Sequence, residues 1–110
     1  MSFDIKTTMG DMLGAVKSVV SGEWPKVRAC VKRALDEEAA FLQSLAEARL
    51  AGELDDDTLA AQLRDEQETL EAVLAVCQLM SKKLVQDAAN AAIDALNKAI
   101  SLAVKPLIGA

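Results

Sequence analysis

The sequence predicts an all-α protein: an elongated antiparallel helical hairpin with a long C-terminal helix and an additional N-terminal helix, assembling into a helical bundle. Three observations carry this prediction. The 110 residues include 20 Ala and 15 Leu against 5 Gly and 2 Pro, a mixture that favours helix and lacks the turn residues an all-β chain needs. Apolar residues recur at three- and four-residue spacing along most of the chain. Between residues 20 and 105, Gly occurs only at 22 and 52 and Pro only at 25. The whole chain, 1–110, reads as a single domain.

The first helix is expected over about residues 3–20, where Ile5, Met9, Met12, Leu13, Val16, Val19 and Val20 share one face. Ser21-Gly22 ends it. Pro25 sits where a first helical turn tolerates a residue without an N–H, and nothing interrupts a second helix from about 25 to 51. Gly52 is placed to take a left-handed conformation just past that helix. Residues 52–55 then form a bend, in which Asp55 caps the next helix and the acids after it meet the positive helix end.

From Asp56 to Val104 no Gly or Pro occurs, and Pro106 closes the run, so one long helix over about 56–104 is expected. A straight helix of that length would span roughly 73 Å, whereas a compact domain of this size has a radius of gyration of only about 13 Å. Such a rod needs partners. Between Asp87 and Lys105 the residues Asn90, Asp94, Asn97 and Ser101 make one narrow polar stripe, and nearly everything else is Ala, Ile, Leu or Val. A helix so apolar must be covered on most sides, by other helices or by lipid.

A bend at 52–55 pairs positions whose numbers sum to about 107. The resulting layers are Leu45 with Leu63, Phe41 with Glu66, Glu38 with Leu70, Ala34 with Val73, Val31 with Cys77, Val27 with Met80, and Trp24 with Leu84. Glu38 and Glu66 interrupt this seam in adjacent layers. Their carboxylates are the metal-ligand candidates, because paired hairpins can gather such groups into a carboxylate-only metal-binding bundle. Alternatively their head groups sit in water at the hairpin edge, or pair with Lys or Arg across an oligomer seam. Cys30 and Cys77 fall at one level, either as a disulfide staple between the arms or as two small buried thiols.

Gly10, Gly14 and Ser18 form a ridge of small residues on the first helix, and Ala88, Ala92, Ala95, Ala99 and Ala103 form one on the last. The simplest use is internal, with the first helix lying along the part of the last that the hairpin partner cannot reach. With Trp24, Ile93, Leu96 and Ile100, residues Gly10, Gly14, Ala88, Ala92, Ala99 and Ala103 make up the expected oligomer or membrane contact surface.

Charge is unevenly laid out. Net charge is −5, but residues 1–33 carry +3, residues 34–71 carry −10 and residues 72–110 carry +2. On the rod this becomes an acidic tip at the bend, a basic waist of Lys26, Arg28, Lys32, Arg33, Lys82 and Lys83 beside Trp24, and an apolar base. The acidic balance argues against nucleic-acid binding. The chain has no His, which removes the commonest general base and metal ligand, and it lacks phosphate-loop, nucleophile-elbow, Cys-x-x-Cys and EF-hand patterns. No cofactor is called for.

The reading is a non-enzymatic helical interaction protein that forms homo-oligomers through its Ala/Gly- and Leu/Val-rich faces, with the acidic tip exposed. With no leading basic cluster and apolar run, a cytoplasmic location is the default. A membrane-associated or pore-forming oligomer, using the apolar terminal helices, is the alternative; charges such as Asp94 and Lys98, costly in lipid unless they face a bundle interior or an aqueous lumen, count against it.

Overall fold

The computed structural model describes residues 3–77 and 81–104. Among these residues four helices follow one another: α1 (Ile5–Val20), α2 (Trp24–Leu50), α3 (Asp56–Leu74) and α4 (Lys82–Val104). A single 3₁₀ turn, Ser21–Glu23, links the first two. Among the described residues there is no strand, so the all-α class holds.

The local signals at α2, the bend and α3 act as the sequence suggested, and α1 carries a cap that its periodicity did not mark. Asp4 caps α1, its carboxylate accepting from the Lys6 and Thr7 backbone N–H groups and from the Thr7 hydroxyl. Those bonds, Thr7's side chain first, hold the Asp4 carboxyl below its ordinary pKa. Pro25 lies in the first turn of α2. At the far end of α2, Gly52 adopts φ +80°, while Gly52 N–H donates to Arg49 O and Glu53 N–H to Ala48 O. This double closure satisfies the last carbonyls of the helix. Asp55 then caps α3 by accepting from Thr58 N–H at 2.8 Å, and Arg49 ties the bend to Asp56 at 2.6 Å.

The expected 56–104 helix is not continuous. It ends at Leu74, Ala75–Cys77 leaves it through a tightened turn, and α4 starts again at Lys82, its first turn capped by the Ser81 hydroxyl accepting from Leu84 N–H. No Gly or Pro forces this break. Its cause is tertiary: folded back, α4 covers its apolar faces against the chain's own α1 and α3 instead of leaving them to partners. The 73 Å rod is accordingly absent, and the molecule measures 44 × 22 × 21 Å with a radius of gyration of 14.0 Å.

Side chains lining the interhelical clefts give the topology. Ile5 and Met9 face Ala39 and Leu35, so α1 and α2 are antiparallel. Phe3 and Asp11 share a cleft with Ala103 and Ala95, and Asp56 and Leu63 share another with Val104 and Asn97, so α4 runs antiparallel to both α1 and α3. The result is an up-down-up-down bundle in which α1 lies along α4, as expected, but not through the Gly10, Gly14 and Ser18 ridge. Its core includes Met12 and Val16 of α1, Leu35 and Leu42 of α2, Leu70 and Leu74 of α3, and Leu96 and Ile100 of α4.

This arrangement corrects the expected contact surface. Trp24, Ala88, Ala92, Ile93, Leu96 and Ile100 are buried within one chain, and Ala99 and Ala103 are half-buried. Gly10 and Gly14 face outward, and a Cβ at either would meet nothing within 4 Å. The α1 face that packs inward is instead Thr8, Met12, Val16 and Val20. The stripe Asn90, Asp94, Asn97 and Ser101 is exposed. Folding α4 back also removes the separate apolar base, leaving an acidic end at the bend and a basic end around Lys26, Arg28, Lys82 and Lys83.

Candidate functional site

The α2–α3 seam carries the structure's most unusual chemistry. The three- and four-residue spacing of Leu59, Leu63, Glu66, Leu70 and Leu74 turns all five inward, so a glutamate occupies a core position of α3. Glu66 is only 3% exposed, and its Oε2 has no hydrogen-bond partner. Glu38 of α2 faces it, half-buried. Burial pushes the Glu66 carboxyl up to about 8, with the hydrogen bond to Glu38 and the Glu38 charge adding to it. Near neutral pH, Glu66 therefore holds its proton and donates it toward the Glu38 carboxylate.

Around this pair, Phe41, Gln62, Asp65 and Thr69 complete a pocket of about 500 Å³ that opens to solvent. Phe41 stands at its rim. The register put Phe41 in the seam opposite Glu66, but the ring is 48% exposed while the glutamate is buried. The inversion follows from the third and fourth helices: Leu42, Leu45 and Ala46 turn toward the bundle axis, which carries the neighbouring position 41 to the edge of the α2–α3 groove.

The two metal-ligand candidates thus come together, though they do so within a single chain. Among the described residues no group of three or more His, Cys, Asp or Glu side chains is placed to hold a metal ion.

At the other end of the same seam, Cys30 and Cys77 are joined, with their Cα atoms 6.0 Å apart. The bond ties the turn after α3 to the first third of α2. The neighbouring layers Ala34, Val31, Val27 and Trp24 are buried on the α2 side; Met80, expected opposite Val27, lies outside the described residues. Ser81, the cap of α4, is a residue that apolar periodicity does not mark, although a Ser directly before Lys-Lys-Leu is an ordinary helix-start signal.

A second surface lies between α1 and α2. Ile5, Met9, Leu13, Leu35 and Ala39 line an apolar groove of about 450 Å³, with Gly10 beside them and Lys6, Lys32 and Asp36 at the rim. Of the expected contact set, Gly10 opens onto this groove, while the half-buried Ala99 and Ala103 line the α1–α4 cleft.

No known family, curated protein or solved structure matches this chain. Function therefore rests on these surfaces alone.

Proposed function

We propose that this chain is a non-enzymatic helical interaction protein that pairs with a second copy of itself through the α1–α2 face. One observation carries the reading: Gly10 and Gly14 lie one turn apart on the outside of α1, with open space where a Cβ would project, beside the groove lined by Ile5, Met9 and Leu13. Missing side chains let a second helix approach closely, and the half-covered apolar residues gain by being removed from water. Both charge signs occur at the rim, Lys6 and Lys32 with Asp36, which suits a two-fold contact in which each copy offers the same patch. The acidic bend stays outside that contact.

The terminal helices, which suggested a membrane alternative, turn their apolar faces into the bundle. Among the described residues no helix is long and apolar enough to cross a membrane.

Sedimentation equilibrium from low micromolar to several hundred micromolar protein tests the pairing. The expected result is a concentration-dependent dimer that Gly10→Glu converts to a monomer without lowering the melting temperature. A wild-type chain that stays monomeric throughout overturns it.

A further inference from the structure

The acidic pocket between α2 and α3 is unlike a discarded edge of the core, because it leaves a buried oxygen without a partner. Glu66 is 3% exposed and lines the pocket with Oε2 unpaired, which an ordinary packing site does not tolerate for long without compensation. Asp65 and the half-buried Glu38 line the same pocket, and an exposed aromatic ring, Phe41, stands on its rim. Carboxylates inside and a ring at the mouth are the two surfaces that an organic cation recognises.

The dimensions and the donor set choose between kinds of cation. A pocket of about 500 Å³ is far larger than a bare metal ion fills, and no third metal ligand converges with the pair among the described residues. A guanidinium suits it better. Its five N–H donors can serve Glu38 directly and reach the sealed Glu66 oxygen once the two carboxyl groups part to admit it, and its weakly hydrated face stacks on Phe41. An ammonium, compact and strongly hydrated, has no flat face to offer the ring. We propose that this pocket binds the arginine side chain of a basic peptide segment, held by Glu38 and Glu66 under the ring of Phe41.

Charge supports a basic segment as the carrier. Residues 34–71, which include both walls of the pocket, carry a net charge of −10, so residues flanking the arginine meet an attractive field. Binding also changes a protonation state. In the free protein Glu66 keeps its proton because burial and the facing Glu38 carboxylate raise its affinity for it. A guanidinium entering between the two carboxyl groups replaces that proton, which leaves to solvent as Glu66 becomes a carboxylate. The charged groups involved are Glu38 from α2, with Asp65 and Glu66 from α3.

The test is calorimetric titration of the full, disulfide-intact chain with three short peptides that differ at one position: arginine, its neutral isostere citrulline, and lysine. Running each in two buffers of different ionisation heat at neutral pH counts protons. The arginine peptide is expected to bind at least tenfold more tightly than the other two and to release up to one proton. Glu66→Gln should abolish the proton release. Glu38→Gln and Phe41→Ala should each weaken binding by about tenfold while circular dichroism shows the fold unchanged. Absence of binding, equal binding of the citrulline peptide, or arginine binding that ignores Glu38→Gln and Phe41→Ala overturns the proposal. Free arginine binding as well as the peptide overturns the peptide as its source. Since Gly10→Glu lies on a different face, the arginine titration repeated in that variant separates failure here from failure of self-pairing.

Discussion

Cys77, just beyond the last turn of α3, is bonded to Cys30 on α2 across 47 residues of chain, at the level where an antiparallel register through residues 52–55 places them opposite each other. Closing a loop of that length removes conformations from the unfolded chain and stabilises by about 4 kcal/mol on the entropy model. Domain stabilities run to about 5–15 kcal/mol. Reducing the bond should therefore move the denaturant midpoint far downward, and the Cys30→Ala/Cys77→Ala chain should show the same midpoint with or without reductant. Two free thiols in the denatured, unreduced protein would contradict the bond itself.

Glu66 makes stability depend on pH in the direction opposite to a salt-bridged acid. Its folded pKa, about 8, lies above the ordinary value of 4.5, so between those limits the folded chain holds more proton than the unfolded one. Stability contributed by the protonated form is complete below about pH 4.5 and is lost as pH rises toward and through 8. Glu66→Gln keeps a neutral hydrogen-bonding side chain. It should remove most of that slope and leave the variant more stable than wild type at pH 9, on the order of 2 kcal/mol. Urea melts at three pH values suffice, and parallel pH profiles for the two proteins would rule out the buried, protonated acid.

Two leucines of α4 give opposite answers to one question. Leu96 is fully buried and Leu102 is 61% exposed. Leu96→Ala should cost about 2–5 kcal/mol through lost burial and the cavity left behind, whereas Leu102→Ala should stay within about 0.5 kcal/mol. Equal, small effects would mean that α4 does not fold back onto α1 and α3.

The bend offers a smaller effect of certain sign. At φ +80° Gly52 occupies backbone space that a Cβ opposes, so Gly52→Ala should destabilise by about 1 kcal/mol. Asp55→Ala, which strips the α3 cap, should cost about the same. Thermal melts of the two single variants check both.

Local chemistry made the α2 and α3 starts, the bend and the α2–α3 register legible, because a first-turn proline, a cap, a helix-ending glycine and periodic Leu and Val each act within a few residues. The register alone brings Glu38 near Glu66 and Cys30 level with Cys77. What stayed hidden depends on surfaces that meet late. Nothing in Ala75–Cys77 itself ends a helix, and only the wide apolar face of α4 reaching α1 and α3 makes the break favourable. Phe41 and Glu66 exchanged environments for the same reason, since a two-helix register cannot say which flank of a seam the other helices cover. The glycine ridge of α1 carried no directional information either, and the observed bundle turned it outward.

The two charged ends lie along a 44 Å axis, while electrostatic influence in physiological salt dies away over about 8 Å. A neighbour therefore senses one end at a time and never the net −5. At modest ionic strength the molecule should behave as an electrically two-faced object, holding to an anion exchanger by its bend and to a cation exchanger by the opposite cap. On either kind of charged surface it would stand upright rather than lie flat.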